Sequence, residues 1–323
     1  MVFHSQLEEV LEMFQEKLLT VREGELRKAF ERISDRYRKE SGSFLQTEEE
    51  RWAYLFTRLP ATFAVALKVF EELKARDPSL NPRSFLDVGA GPGTGMWAAL
   101  DVFGETLDKG TLLEKDVQFL SMGKQLASHS SASWVQQAEW KVADMTTSLS
   151  IDPHDITLFS YSIGEVEEPY WKALLQRLWL STEKALVIIE PGTPKGYRRM
   201  MKLRDLLLEL GGFLWAPCPH HNTCPLLKED WCHFSARVQR TSLHRKLKSA
   251  DLGYEDEKFC YLIVGKKICT PYEGRIIRHP IKHSGYVEVM LCQKEDVKQV
   301  TFSKKNKEKY KSIKKLNWGD VIN

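Results

Sequence analysis

Residues 84–95 read SFLDVGAGPGTG: an apolar run, an aspartate, then glycine at 89, 91, 93 and 95. An apolar run that breaks into alternate glycines and continues as an amphipathic stretch, 94–103, is a strand turning sharply into a helix. Glycines there let backbone N–H groups approach a ligand, and the helix N-terminus that follows favours negative charge. The same alternation continues downstream. Strands are expected at 84–90, 111–116, 155–162 and 184–191, with amphipathic helices at 94–103, 116–128 and 168–181. Apolar strands separated by helices imply an α/β fold with a parallel sheet covered on both faces. The sheet is expected to resume at FLWAP (213–217) and KFCYLIVGKK (258–267).

A glycine loop alone also fits a dinucleotide site or a purely structural turn. Three carboxylates shift the balance. Asp87 precedes the first glycine, where it suits an amino-acid moiety better than a pyrophosphate. Glu114 ends the second strand, where a carboxylate can take both ribose hydroxyls. Asp144 stands where a third strand would end, within reach of an adenine amine. The candidate cofactor residues are therefore Asp87, Gly89, Gly91, Gly93, Glu114 and Asp144. Their order and spacing resemble the class I S-adenosylmethionine-dependent methyltransferase fold, with S-adenosyl-L-methionine as the expected cofactor. The fourth strand ends in Phe159-Ser160-Tyr161-Ser162-Ile163-Gly164-Glu165 and lacks the [DNS]-P-P-[YF] motif of amine-methylating enzymes. No general base stands out, so the catalytic residues stay unassigned.

At 323 residues the chain can hold one large domain and a smaller one. Residues 1–80 read as helical. Leu7, Val10, Leu11, Phe14 and Leu18 form an apolar stripe, Ser41-Gly42-Ser43 breaks the pattern, and a helix at 48–58 meets Pro60 at the start of the next, closed by Asp77-Pro78. A methyltransferase-like domain follows at 81–267, with a cysteine-rich insertion at 217–240. A small β appendage at 268–300 and a basic tail at 301–323 complete the chain. No apolar run approaches the ~20 residues that span a bilayer. The acidic start argues against a leader or presequence, so a bacterial-type cytoplasmic setting is the simplest expectation. Net charge is only +3, but residues 301–318 hold seven lysines against one glutamate, and RVQRTSLHRKLK (237–248) is also basic. Those lysines, with Arg237, Arg240, Arg245 and Lys246, are candidates for nucleic-acid phosphate contact.

Cys218, Cys224 and Cys232 form a C-x5-C-x7-C array in a polar stretch without apolar period, which weakens a buried-core reading. Clustered cysteines in a reducing compartment favour metal ligation over disulfides. On spacing alone the fourth ligand stays open among Cys260, Cys269, Cys292, His220, His221 and His233. Cys260 sits in an apolar strand and reads as core, whereas Cys292 ends an alternating strand. Without paired C-x-x-C knuckles, a [4Fe-4S] cluster suits the array at least as well as zinc. Pro217-Cys218 superficially matches the nucleophile of cytosine-5 methyltransferases, but the closely following thiols make Cys218 a ligand instead.

RLPATFAVA (58–66), LDVGAGPGTG (86–95), SYSIGEV (160–166), IEPGTPKGY (189–197), PCPHHNTCPL (217–226), DWCHFSARVQR (230–240) and EDEKFCYLIVGKK (255–267) together resemble the family of the mitochondrial small-ribosomal-subunit protein Rsm22. The resemblance spans most of the chain. It implies binding of S-adenosylmethionine and of the small ribosomal subunit and its rRNA, in the cytoplasm of a bacterium or the mitochondrion of a eukaryote. It also implies a [4Fe-4S] cluster on Cys218, Cys224, Cys232 and Cys292. The family tends to carry serine where this chain has Cys260, which makes Cys260 a rival fourth ligand. A monomer is expected, without membrane attachment. Two readings follow: an assembly factor that has lost methyl transfer, or an active rRNA methyltransferase with its base flipped in beside Glu165 and Pro191.

Overall fold

The structure, a computed structural model, describes residues 6–19, 23–39, 47–147, 151–226 and 229–322. Four helices lead: α1 (Gln6–Leu19), α2 (Glu23–Lys39), α3 (Glu48–Thr57) and α4 (Leu59–Arg76). Thr47 caps α3 by accepting from the Glu50 amide, and Pro60 sits in the first turn of α4, where no helical amide is needed. The expected break at Ser41-Gly42-Ser43 lies outside the described residues. Among the described residues no single helix is long and apolar enough to cross a membrane.

The sheet domain runs β1 (Ser84–Val88), α5 (Thr94–Phe103), β2 (Lys109–Glu114), α6 (Val117–Ala127), α7 (Ser133–Gln136), β3 (Glu139–Val142) and β4 (His154–Ser160). It continues with α8 (Trp171–Leu180), β5 (Thr182–Pro191), α9 (Pro194–Glu209), β6 (Phe213–Ala216), β7 (Phe234–Gln239), α10 (Ser242–Leu247) and β8 (Tyr254–Gly265). The strand order is β3-β2-β1-β4-β5-β8-β6. The first five strands are parallel, and β8 lies antiparallel between β5 and β6. Strand ends fall within a few residues of expectation because the apolar runs are bounded by charged or glycine residues. β7 was not foreseen; it pairs with the first half of β8 and stabilises an arm that also carries α10.

Alternation along the strands builds two cores. Leu112, Ile156, Leu158, Val187, Ile189 and Ile263 face α4, α5 and the N-terminal helices. Leu86, Val88, Leu113, Phe159, Ile188 and Leu262 face α8 and α9. Between β3 and β4 no helix appears among the described residues, so the second face is covered more thinly there.

The remainder is a small antiparallel sheet: β9 (Gly274–Ile276), β10 (Ile281–Lys282), β11 (Tyr286–Cys292), β12 (Val297–Ser303), α11 (Lys307–Ile313) and β13 (Val321–Ile322). The basic segment is thus not a loose tail. It supplies the end of β12, then α11, then β13, and it buries Ile313 and Ile322 against Val287, Val289 and Leu291. Exposed lysines had masked that apolar period.

Candidate functional site

The glycine loop leaves β1 and enters α5, with Gly89, Gly91 and Gly93 at φ of +71°, +54° and +83°, a region that favours glycine. The Gly89 and Ala90 amides donate to Leu113 O, tying the loop to β2. A Cβ at Gly95 would overlap Leu158 and the Asp87 carboxylate. Asp87 is buried, and its Oδ1 has no hydrogen-bond partner among the described residues. Burial, then the nearby Glu114, pushes its carboxyl up to about 8. Glu114 accepts from the Gly91 amide at 2.7 Å and the Asp116 amide at 2.8 Å. Its carboxyl is also raised, by burial acting against those amides. Neither carboxylate has an ion-pair partner among the described residues, an arrangement that suits a ligand bringing positive charge and hydroxyl donors. Asp144 stands two residues beyond β3 and closes a turn, accepting from Thr146 N and Oγ1 at 2.8 and 2.7 Å. Those bonds hold its carboxyl below the usual range.

At the end of β4 the backbone does something the residue types did not announce. Tyr161 adopts φ +56°, a strained conformation for a non-glycine residue, and its hydroxyl is buried without a partner among the described residues. The next turn carries Glu165, paired with Lys115 at 2.5 Å. Behind it lies Glu190 of β5, 1% exposed and 3.4 Å from Arg199. Burial, against the Arg199 charge, pushes the Glu190 carboxyl up to about 7. Across the sheet Glu190 is in register with Cys260 of β8.

Cys260 opens the second feature. One cavity is lined by Cys218, Cys224, Cys232, Cys260 and Cys292, and by Tyr197 and His220. Cys218, Cys224 and Cys232 come from the loop between β6 and β7, and Cys292 from the end of β11. The loop is pinned from both sides by buried arginines. Arg204 of α9 donates to the His220 and Asn222 carbonyls, and Arg275 of β9 donates to Pro217 O, as does the Tyr272 hydroxyl. On α9 the positions 197, 200, 201 and 204 share one face, and Tyr197, Met200 and Met201 of that face line the cavity. Burial and then the mutual influence of Cys218, Cys260, Cys292 and Cys224 raise the Cys232 thiol well above its ordinary value. Cys292 is pushed up to about 12 by burial and by Cys218 and Cys224.

The donor set is therefore thiol-rich, free of carboxylate ligands and flanked by buried arginines, which suits an anionic metal–thiolate group. Among the described residues no three His, Cys, Asp or Glu converge closely enough to hold a single metal ion. Cys260 donates to Cys232 O at 3.1 Å and is thereby engaged. Cys269 instead donates to Thr270 O, His221 accepts from the Leu214 amide, and His233 stacks on Trp231.

The basic candidates divide. Arg237 is held by Asp256 in two hydrogen bonds, and Arg240 by Glu255, so both are committed within the arm. Lys304, Lys305, Lys307, Lys309, Lys311, Lys314 and Lys315 are all exposed on and around α11.

A parallel sheet with one reversed strand near its far edge, opened by a glycine loop between β1 and α5, defines a class I methyltransferase fold. Within that class the chain belongs to the family described as mitochondrial small ribosomal subunit Rsm22, whose model matches residues 48–323. The human ribosome assembly protein METTL17, mitochondrial, is 26% identical over 299 residues, covering 85% of this chain and 63% of its own. The Rsm22-cox11 tandem protein 2 of Schizosaccharomyces pombe, also mitochondrial, is 22% identical, covering 88% of this chain and 44% of its own. The chain thus spans less than two thirds of these relatives. Among solved structures, the magnesium protoporphyrin IX methyltransferase of Synechocystis PCC 6803 with bound SAH is similar, at TM-score 0.44 and 13% identity, over 72% of this chain and 93% of that one.

Proposed function

We propose that this protein is an assembly factor of the small ribosomal subunit, built on a methyltransferase fold that binds S-adenosylmethionine without transferring its methyl group. The carrying observation is the contrast between the crevice and the end of β4. Asp87 and Glu114 are buried and, among the described residues, unpaired by any cation, whereas Tyr161–Glu165 offers no amine-methylating motif and Glu165 is neutralised by Lys115. Asp87 would meet the cationic amino-acid end of the cofactor and Glu114 the ribose, with Asp144 on the rim toward the base. We further infer a [4Fe-4S] cluster on Cys218, Cys224, Cys232 and Cys292, with Cys260 held in reserve by Cys232 O. When bound, such a cluster supplies a rigid anionic crosslink and a redox-active centre. The lysines around α11 contact rRNA phosphates, and the protein acts as a monomer. Its compartment is that of the subunit it serves: the mitochondrion in a eukaryote, the cytoplasm in a bacterium.

A second reading is favoured by Tyr161. Strained backbone clusters at active sites, and this strain lies beside the glycine loop, where an active rRNA methyltransferase would hold its flipped base. The test compares rRNA methylation and subunit profiles in wild-type, deletion and Asp87→Ala strains. Unchanged methylation with accumulated small-subunit precursors in the deletion strain is the expected result. A methyl mark lost in both mutant strains would establish the enzyme instead.

A further inference from the structure

Besides its sulfurs, the cysteine cavity is lined by the polar side chains of Tyr197, His220 and Tyr261. Tyr197 reaches it from the first turn of α9, and its hydroxyl lies 3.3 Å from Cys224 Sγ. The turn that aims it is rigid, because Thr193 caps the Gly196 amide and a Cβ at Gly196 would run into Pro191 O. His220 lines the same cavity at 6% exposure, and neither ring nitrogen has a hydrogen-bond partner at bonding geometry among the described residues. The Asn222 main chain, the Arg204 guanidinium and His221 are the polar groups near it. A ring N–H there lacks a partner, which a sulfur acceptor in the cavity would supply.

Thiolate and sulfide sulfurs of an iron–sulfur cluster accept hydrogen bonds, and such bonds favour the more negative, reduced state. We propose that Tyr197 and His220 are the hydrogen-bond donors that orient the thiolates and set the reduction potential of the cluster in this cavity. The assignment rests on the reading that Cys218, Cys224, Cys232 and Cys292 hold that cluster. Both residues are positioning residues, not ligands, since four thiolates complete the set.

Anaerobically prepared full-length protein is titrated potentiometrically, with the reduced cluster followed by electron paramagnetic resonance and iron counted per chain. Tyr197→Phe and His220→Phe should keep their iron but reduce at lower potential than wild type. His220→Gln, which retains an N–H, should move back toward it. Unchanged potentials and spectra in both Phe variants overturn the proposal while leaving the cluster intact. A wild type that carries only zinc, or no metal, overturns the cluster reading and the proposal together. Should a Phe variant fail to load iron, 3-fluorotyrosine at position 197 gives a stronger donor of nearly the same shape. Its expected shift is upward, and an absent shift counts against the assignment.

Discussion

Asp87 is a carboxyl that the fold keeps protonated. Its folded-state value is about 8, raised above the ordinary carboxylate range by burial and then by Glu114. The folded protein therefore holds a proton that the unfolded chain releases, so this group's contribution to stability declines as pH rises from about 4 to about 8. Asp87→Asn cannot ionise, so the ligand-free variant should lose less stability than wild type between pH 5 and pH 8, while S-adenosylhomocysteine binding is abolished. Denaturant melts at pH 5 and pH 8 check the first claim and calorimetry the second; the same pH dependence in the two proteins would contradict the account. Gly95→Ala tests the same corner sterically, since its Cβ collides with Leu158 and Asp87. A loss of 1–3 kcal/mol is expected, as for overpacked cores, together with weakened ligand binding.

Among the elements, α9 serves both sites. One face walls the cysteine cavity, and Arg199 on another meets Glu190 behind the β4 turn. Much of this organisation was legible in the sequence. Alternating apolar runs and helices gave the parallel sheet, because each run is bounded by a glycine or a charged residue. The glycine loop and Glu114 fall at strand ends, and the three cysteines of the 217–232 stretch share a loop with little regular structure. The conformation of Tyr161 was hidden, because a positive φ leaves no compositional trace when the residue is not glycine. β7 was hidden because its inward Phe234, Ala236 and Val238 alternate with polar residues inside a stretch dominated by cysteines. The burial of Arg204 and Arg275 was hidden too, since their partners are mainly backbone carbonyls and Glu72. In α11 the lysines give a prediction of their own. Replacing Lys307, Lys309 and Lys311 by glutamine should weaken binding to ribosomal RNA fragments and lower the slope of log K against log salt by about 0.7 per lost contact on single strands. An unchanged slope in filter-binding titrations would remove α11 from the RNA interface.

Over the whole molecule, the sheet domain and the appendage meet at Pro217 O, where Tyr272 and Arg275 converge, and at the cavity that Cys292 reaches from β11. Cys292→Ser should therefore loosen the appendage as well as the proposed cluster site. Hydrogen exchange in β11 and β12 is expected to accelerate while β1, β4 and β5 stay protected; uniform protection would count against this linkage. The register of Glu190 opposite Cys260 has a further consequence. Register partners on neighbouring strands carry their side chains on the same face, so the buried Glu190 carboxyl and the Cys260 thiol of the cysteine cavity lie side by side. A group added to Cys260 would crowd Glu190 and its partner Arg199, whose guanidinium lies against Gly164. Ligand affinity is therefore expected to differ between thiol-blocked and unmodified protein.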